Sequence, residues 1–328
     1  MRKAALIYNP VCGGEHKRRL VQLESAAAAL RERGLEVLVV ATHGPRTAGE
    51  QARQATAEGC ELIFACGGDG TVNEVLQGIA ATGNQAALAV IPLGTGNVLA
   101  ENLRIPRDPV RAVLAALAFS PQRIPAGKIE YRERAGGELL SRYFTVMAGV
   151  GVDAQLPYKL TAKIKRRYGM AAYYASLAKL AATTRRFPFF QAECHQADGQ
   201  IRRERVSQVV AMRVPAVGVL KQIAPWASLH HRDLPLMLFK SRNPLRLVQY
   251  AIATLLPGPG RVAPRVAGME LIRAVSVSCS LLHEAGENVS CSRIYAQSDG
   301  EFLGSLPVRI SVVTDAFTLL MPPAPANH

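Results

Sequence analysis

The sequence lacks the patterns that define several large classes of enzymes and membrane proteins. It contains no G-x-x-x-x-G-K-[ST] motif, so it is not a P-loop enzyme, and no G-x-S-x-G elbow of a serine hydrolase. Its seven histidines show no H-E-x-x-H motif and no Cys/His metal spacing, so a zinc site is not expected. No apolar run reaches the roughly 18 residues that a membrane-spanning helix needs. We therefore expect a protein that is soluble or peripheral to a membrane.

Cysteine usage indicates a reducing compartment. The six cysteines form no C-x-x-C pair, and three of them, Cys60, Cys66 and Cys279, lie within or beside apolar runs, as buried free thiols do. This pattern is typical of cytoplasmic proteins rather than of secreted disulfide scaffolds. The apolar stretch at the N-terminus is too short for a secretory signal. We therefore expect a cytoplasmic location.

Aromatic residues are scarce, at 6% of the chain, whereas basic residues are in excess. Lys and Arg number 39 against 25 for Asp and Glu, which gives a formal net charge of +14. Such an excess serves simple solubility, nucleic-acid binding or attraction to an anionic membrane surface. Nucleic-acid binders usually add a recognisable module with clustered aromatic residues. We therefore expect no nucleic-acid partner and favour a membrane surface.

Strands and helices alternate in the first third of the chain. Strands are predicted at Lys3–Tyr8, Leu35–Ala41, Leu62–Cys66 and Ala87–Ile91, with helices near Lys17–Arg33, near Thr47–Glu58 and from Thr71 onward. This alternation predicts a doubly wound parallel α/β sheet as the N-terminal domain. In such sheets ligands bind at the carboxyl ends of the strands, where the loops after all of these strands meet.

The pattern changes near Pro121–Pro125, where short β-prone segments begin, among them Arg142–Ala148 and Leu271–Ser280. They are separated by turn signals such as Gly136-Gly137, Asp198-Gly199 and Asp299-Gly300. This pattern predicts an antiparallel β-sandwich as the following domain, so we expect boundaries at 1–122 and 123–307. Helical insertions are predicted at Leu156–Arg186 and Pro244–Leu256.

The most informative stretch runs from Leu62 to Gly83. A buried strand ends at paired glycines, and a helix follows, for which Thr71 and Glu74 have the spacing of a capping box. A strand, a glycine loop and a helix N-terminus place backbone N–H groups and a positive dipole end at one spot, which predicts an anion site, most often for phosphate. Asp69 within the loop either caps a turn, or binds Mg²⁺ or accepts a proton from a nucleophile.

The segment GGDGTVNEV, at residues 67–75, resembles the GGDGTxNEV signature of the diacylglycerol-kinase catalytic superfamily. This superfamily includes bacterial lipid kinases, sphingosine kinases and ceramide kinases. NPVCGG after the first strand and PLGTGN after the fourth resemble two further loops of the family. The PLGTGN loop separates the chain from NAD kinases, which share the GGDG loop but lack the second element in this form.

The resemblance implies ATP and Mg²⁺ as cofactors and a nucleotide site in the first domain. The implied nucleotide-binding residues are Asn9, Thr42, Gly67, Gly68, Asp69, Gly70, Thr71, Asn73, Glu74, Gly94, Thr95 and Asn97. Mg²⁺ is expected to enter with ATP and to lie near Asp69. The resemblance does not identify its other protein ligands. The last segment of family members returns to the first domain, so residues 308–328 are expected to complete residues 1–122.

A D-G-E element at Asp299–Glu301 precedes the last predicted strand. Taken alone, such a tripeptide is usually a hairpin turn. The family has a D-G-E element near its C-terminus whose Glu is assigned as proton acceptor, which implies Glu301 as a catalytic residue. Phosphoryl transfer to an alcohol needs Mg²⁺ and a carboxylate that accepts the hydroxyl proton. Asp69 and Glu301 are expected to divide these roles, with Glu301 favoured as the base.

The stretch HRDLPL, at residues 231–236, departs from the family pattern. Bacterial lipid kinases of the family often carry D-G-x-L-D here, and an acidic residue of that motif holds a structural Mg²⁺. The glycine and the second aspartate are missing in this chain. We predict that this accessory metal site is absent, or that ionic contacts from Arg232 replace the ion.

Taken over nearly the whole chain, the resemblance implies an ATP- and Mg²⁺-dependent kinase that phosphorylates the hydroxyl of a membrane lipid, most simply diacylglycerol. A cluster of basic residues is expected to meet the anionic inner face of the membrane, unless it forms an ordinary solvated helix face. The cluster consists of Lys159, Lys163, Lys165, Arg166 and Arg167. Two alternatives are a superfamily kinase that acts on a soluble acceptor such as NAD or a sugar phosphate, and a catalytically silent lipid- or nucleotide-binding regulator. The identity of the lipid and the oligomeric state, including a homodimer, stay open.

Overall fold

The computed structural model describes residues 3–11, 16–134, 136–152, 154, 184, 186–217, 223–255, 266–282 and 294–322. Contacts within the chain define two compact units, one formed by Met1–Pro125 with Thr314–His328 and the other by Ala126–Val313. The basic cluster expected to meet a membrane, Lys159, Lys163, Lys165, Arg166 and Arg167, lies outside the described residues.

Strands and helices alternate in the first unit, as predicted. The strands are β1 (Lys3–Tyr8), β2 (Glu36–Ala41), β3 (Leu62–Gly67) and β4 (Ala87–Pro92), and the helices are α1 (His16–Arg31), α2 (Ala48–Ala57), α3 (Asp69–Ala81), α4 (Val98–Asn102) and α5 (Pro109–Ala118). The pairs β1–β2, β1–β3 and β3–β4 are all parallel. Strands β3 and β4 are buried along their whole length, as inner strands of a sheet covered on both faces are.

The strand order of this sheet creates a place for a ligand. The order is β2-β1-β3-β4, followed by the end of β15 (Glu301–Met321), which pairs in parallel with β4 through Thr318 and Leu319. Strand β1 lies between β2 and β3, so the chain winds in opposite directions on either side of the β1–β3 boundary. In open α/β sheets ligands bind outside the carboxyl ends of the strands at such a reversal.

Helices α2 and α3 touch through two glycines. A Cβ atom added at Gly78 would lie 2.0 Å from the carbonyl oxygen of Gly49, and one added at Gly49 would lie 2.8 Å from the carbonyl oxygen of Glu74. No larger residue fits either position without moving a helix backbone. Because α3 begins at the glycine loop, this contact also holds the predicted anion site in place.

The substitution Gly78→Ala should therefore lower the free energy of unfolding. We expect a loss of about 1–3 kcal/mol, the usual effect of an extra carbon atom in a well-packed interior, despite the higher helix propensity of alanine. Gly44→Ala is the matched control, because a Cβ atom there meets nothing within 4 Å. Urea unfolding followed by circular dichroism measures both variants. If the two variants have equal free energies of unfolding, α2 and α3 can move apart at no cost in stability.

The second unit is built from antiparallel strands. They are β5 (Ser120–Arg132), β6 (Leu140–Phe144), β7 (Met147–Gly151), β8 (Phe190–His195), β9 (Ile201–Val206), β10 (Gln208–Met212), β11 (Leu234–Phe239), β12 (Met269–Ala274), β13 (Ser276–Ser280), β14 (Tyr295–Ser298) and the first part of β15, together with helix α6 (Pro244–Leu255). Neighbours are antiparallel in the row β12-β11-β10-β7-β14-β15 and in the row β9-β8-β13-β15. No helix of the described ranges, α6 included, is long and apolar enough to cross a bilayer.

One buried core joins the two rows of strands. Val150 and Leu236 of the first row and Phe190 and Val277 of the second are fully buried in the same apolar cluster. A common core between two rows is what a sandwich requires. The fold class expected from the sequence, a parallel α/β domain followed by an antiparallel β domain, is thus confirmed.

Two predicted strands are each divided in the structure. The segment predicted as Arg142–Ala148 forms the end of β6 and the start of β7, and Leu271–Ser280 spans β12 and β13. Between β6 and β7 the backbone turns because the N–H groups of Thr145 and Val146 bond to the carboxylate of Asp299. No local turn residue marks this break, so the sequence pattern alone reads as one continuous strand.

Candidate functional site

The loops after β1 to β4 begin at one edge of the sheet and are tied to neighbouring strands there. The backbone N–H of Asn9 donates to the carbonyl of Cys66 over 3.2 Å, and that of Thr42 donates to Tyr8 over 2.8 Å. The N–H of Leu93 donates to the carbonyl of Gly67 over 2.9 Å. The loops predicted to bind a nucleotide therefore share the carboxyl edge of the parallel sheet.

Helix α3 begins at Asp69, three residues earlier than a capping box with Thr71 as the N-cap would require. Gly68 is the N-cap and no side chain caps the helix, so the predicted Thr71–Glu74 capping box is wrong. The side chain of Thr71 instead covers Gly67, where an added Cβ atom would lie 2.5 Å from its Cβ and Oγ1 atoms. Because Gly68 has no side chain to cap the helix, a bound anion would take that role.

Glu74 braces the loop after β2. Its Oε1 atom accepts a hydrogen bond from the Arg46 backbone N–H over 3.0 Å, and its Oε2 atom accepts one from Ala48 over 3.1 Å. This holds the segment between Thr42, whose side chain is buried, and the start of α2. Glu74 thus shapes the site from α3, and its predicted contact with a nucleotide stays a prediction. Asn73, one position earlier, is 1% exposed.

The loop after β4 closes on itself through Asn97. The Oδ1 atom of Asn97 accepts the N–H of Gly94 over 2.9 Å, and its Nδ2 atom donates to the Gly94 carbonyl over 2.7 Å. Thr95 at the tip of the loop is exposed. A Cβ atom added at Gly94 would lie 2.4 Å from the Cα atom of Gly68. The two glycine loops therefore meet backbone to backbone, which only glycine permits.

Asp69 faces this second loop from the first turn of α3. Its Oδ1 atom accepts the backbone N–H of Leu99 over 3.3 Å, and its Oδ2 atom would lie 3.0 Å from a Cβ atom at Gly96. Within the described ranges there is no group of three or more His, Cys, Asp or Glu side chains that could hold a metal ion. A single carboxylate fits Mg²⁺ bound chiefly through nucleotide phosphates, which is its common mode in kinases. It does not fit a metal held by protein ligands alone.

Arg19 is a basic residue at this edge that the sequence reasoning missed. It lies on α1, is partly buried, and its Nη1 atom donates to the carbonyl of Leu93, 74 residues away, over 2.6 Å. Arg19 thereby places a permanent positive charge next to the loop that begins at Leu93. Nothing in the local sequence of α1 distinguishes it from the neighbouring basic residues, so only its tertiary contact reveals it.

Asp299 and Glu301 have different roles in the second unit. The carboxylate of Asp299 accepts backbone hydrogen bonds from Thr145, Val146 and Met147 over 2.9–3.1 Å, and its φ angle is +46°. The turn interpretation of D-G-E is therefore correct for Asp299. Glu301 opens β15 and its Oε2 atom lies 2.9 Å from Nη2 of Arg142, a partner that the sequence did not reveal. With 34% of its side chain exposed, Glu301 is held in place yet accessible to a substrate.

The backbone at the start of the stretch 231–236 is held by Arg213. The guanidinium of Arg213 is fully buried and donates to the carbonyls of Leu229, His231 and Asp233 over 2.8–2.9 Å. Burial lowers the pKa of Arg213 to about 10, so it stays charged at neutral pH. The side chain of Arg232 is exposed, and Asp233 forms an ion pair with Arg273 at 3.3 Å. The ionic contacts predicted from Arg232 stay a prediction. The absence of an accessory metal stays a prediction.

Known proteins similar to this chain include diacylglycerol kinases. Residues 3–129 match the family model of the diacylglycerol kinase catalytic domain. A diacylglycerol kinase of Bacillus subtilis (strain 168) is 28% identical over 309 residues, which cover 94% of this chain and 92% of the relative. One of Staphylococcus aureus (strain bovine RF122 / ET3-1) is 34% identical over 173 residues, or 53% of this chain and 51% of the relative. A diacylglycerol kinase structure from Bacillus anthracis str. Sterne shares the fold, with a TM-score of 0.72 at 21% identity over 98% of both chains.

Proposed function

Since residues 3–129 belong to the diacylglycerol kinase catalytic domain family, which makes the protein a lipid kinase, we propose that ATP and Mg²⁺ serve its reaction. The proposed acceptor is the hydroxyl of a membrane lipid, most simply diacylglycerol, the lipid in the names of both bacterial relatives. The observation that carries this proposal is the backbone contact between Gly68 and Gly94 at the uncapped start of α3. We call these two glycine loops and the start of α3 the cradle, and propose that it binds phosphate groups.

The cradle suits the phosphates of a nucleotide for two reasons. The first turn of α3 directs backbone N–H groups and the positive end of the helix dipole toward the edge of the sheet. The glycines at positions 68 and 94 allow a ligand to approach the backbone closely. Asn97 keeps the second loop closed around Gly94, so the donors are already arranged before the nucleotide binds.

Two carboxylates are proposed to serve the chemistry. Mg²⁺ bound with the nucleotide would neutralise the charge on the transferred phosphoryl group, and Asp69 is the acidic residue of the cradle that fits this ion. Glu301 is proposed to accept the proton of the lipid hydroxyl as general base. Arg142 fixes the orientation of the Glu301 carboxylate through their 2.9 Å ion pair.

Arg19 should support nucleotide binding through the loop that follows β4. We expect Arg19→Met to weaken ATP binding by about 10–100-fold, because a hydrogen bond from a charged group is typically worth about 1.5–3 kcal/mol. Isothermal titration calorimetry with ATP and Mg²⁺ measures the affinity, and Arg19→Lys should recover part of it. Arg31→Met, at the other end of α1, is the control. An unchanged affinity of Arg19→Met would show that the loop keeps its shape without this contact.

The function is tested by transfer of labelled phosphate from γ-labelled ATP. The full-length protein is incubated with Mg²⁺ and a panel of lipids in mixed micelles, including diacylglycerol, undecaprenol, ceramide and sphingoid bases. NAD and sugar phosphates serve as soluble acceptors. Label in one lipid supports the proposal and identifies the acceptor. Label in a soluble acceptor alone would contradict it in favour of another kinase of the superfamily. ATP or lipid binding without any transfer would favour a silent regulator.

A lipid acceptor requires the protein to reach a bilayer. We propose that it does so as a peripheral protein at the inner, anionic face of the cytoplasmic membrane. The chain's net charge of +14 supports this, because an anionic surface attracts such a protein.

A further inference from the structure

A cluster of cationic and apolar side chains lies at the surface of the second unit. We call it the basic face and define it by Phe189, Arg205 and Arg242, together with Leu245, which follows Arg242 by three residues in the chain. Both arginines are exposed, Phe189 is partly exposed, and Leu245 is 64% exposed. Phe189 precedes β8, Arg205 lies on β9, Arg242 precedes α6 and Leu245 lies at its start, so the face exists only in the folded unit.

The ring of Phe189 lies next to both arginines of the basic face. The guanidinium carbon of Arg242 lies 4.7 Å from the centre of its ring, and that of Arg205 lies 6.0 Å away. Both distances are within the range of cation–π attraction. The backbone N–H of Phe187 also donates to the carbonyl of Arg242 over 2.9 Å, which ties the two segments together. Two positive charges are thereby fixed beside an aromatic ring at the surface.

Leu245 is the second residue of α6 and follows Arg242 by three residues. The N–H of Asn243 donates to Oγ of Ser241 over 3.1 Å, and the N–H of Leu245 donates to Oδ1 of Asn243 over 3.0 Å, which orders the start of the helix. Moving an exposed leucine from water into an apolar environment is favourable. Leu245 therefore adds an apolar residue to the basic face.

The acidic side chains of the neighbouring strands are already paired with other cations. Glu193 contacts Arg203 at 2.7 Å, and Glu204 contacts Arg202 at 2.7 Å and Lys240 at 2.9 Å. They therefore do little to offset the charge of Arg242. The basic face is suited to an anionic partner.

We propose that the basic face docks on the anionic surface of a lipid bilayer, with Leu245 and the edge of Phe189 entering the head-group region. Arginines are attracted to anionic head groups. Aromatic and apolar side chains next to them favour the membrane interface, as they do in interfacial helices. This inference rests on the proposed function, because a kinase whose acceptor is a membrane lipid must bind the bilayer that holds it.

The test is co-sedimentation of the full-length protein with vesicles. Vesicles of phosphatidylcholine alone are compared with vesicles that also contain phosphatidylglycerol. The variant Arg242→Glu/Leu245→Gln should bind anionic vesicles about 25-fold more weakly or worse, since each charge near such a surface contributes about fivefold. The matched control is Arg134→Glu/Leu139→Gln, because Arg134 is exposed and Leu139 is 58% exposed, on the turn between β5 and β6 of the same unit. It should bind like the wild type.

A second, milder variant tests whether a folding defect explains the loss of binding. Arg242→Gln alone should lose about fivefold in binding to anionic vesicles, and circular dichroism checks that each variant is folded. Equal losses in the basic-face and control variants would overturn the proposal, since only overall charge would then matter. Equal binding of the wild type to neutral and anionic vesicles would also overturn it.

Phosphorylation of a dissolved short-chain diacylglycerol separates this inference from the proposed function. The basic-face variant should retain that activity while it loses vesicle binding. Wild-type protein that phosphorylates no acceptor, yet binds anionic vesicles through the basic face, would contradict the kinase proposal alone. Normal phosphorylation together with vesicle binding that does not depend on Arg242 or Leu245 would contradict the docking proposal alone.

Discussion

Replacing Glu301 with glutamine should lower kcat by about 10²- to 10⁴-fold, which is the usual contribution of a positioned general base. Glutamine has nearly the same shape and its amide oxygen can still lie next to the guanidinium of Arg142, so the substitution removes the negative charge that accepts the proton and keeps the side chain in place. Initial rates with a dissolved short-chain diacylglycerol and saturating ATP measure the effect. The KM for ATP should change much less than kcat, since Glu301 is proposed to act on the hydroxyl of the lipid.

Glu193→Gln is the matched control for this prediction. Glu193 is another ion-paired glutamate of the second unit, with a side-chain exposure of 31% against 34% for Glu301. Its substitution should leave kcat within about twofold of the wild type. A similar, small effect in both variants would show that Glu301 serves only the turn and its ion pair with Arg142, and the base would have to be sought elsewhere.

Replacing Asp69 with asparagine should lower kcat/KM by about 10²- to 10³-fold, the effect typical of removing one electrostatic group from a catalytic site. Asparagine can still accept the N–H of Leu99, so the backbone of the second loop should keep its position. The lost negative charge should also raise the Mg²⁺ concentration needed for half-maximal activity. Rates measured as a function of Mg²⁺ at fixed ATP detect this change.

Asp108→Asn separates a metal role for Asp69 from simple capping. Asp108 is the N-cap of α5 and accepts the N–H of Arg111 over 2.9 Å, so it is a purely capping aspartate of the same unit. Its substitution should change thermal stability slightly and leave activity unchanged, because asparagine is about as good an N-cap as aspartate. If Asp69→Asn behaves in the same way, the capping interpretation of Asp69 is correct and its proposed place near Mg²⁺ is wrong.

Much of the first unit could be predicted from the sequence because its signals are local. Strand β1 has the predicted bounds Lys3–Tyr8, and β3 and β4 each extend one residue beyond the predicted end. Continuous apolar runs indicate buried parallel strands, and the glycines after them indicate loops in which the backbone comes close to other groups. The backbones of Gly68 and Gly94 lie in contact, and their close approach to a ligand stays a prediction.

Predictions were less accurate for residues whose contacts lie far away in the sequence. The Thr71–Glu74 spacing matched a capping box, but Glu74 bonds to backbone groups of the preceding loop, at Arg46 and Ala48. The turn between β6 and β7 is set by Asp299, more than 150 residues later in the chain. Local patterns are the same whether or not such a partner exists, so neither outcome could be predicted from the sequence.

Local sequence patterns were enough to predict the alternation of elements, the glycine loops and the family whose model residues 3–129 match. These features depend on residues close together in the chain, or on motifs whose spacing is read directly. The folded structure was needed to find that Arg19 lies at the loop after β4, that Arg142 forms an ion pair with Glu301, and that Phe189 lies next to two arginines of the basic face. Those contacts join side chains from separate elements, and their positions are fixed by the packing of the whole unit rather than by any local pattern.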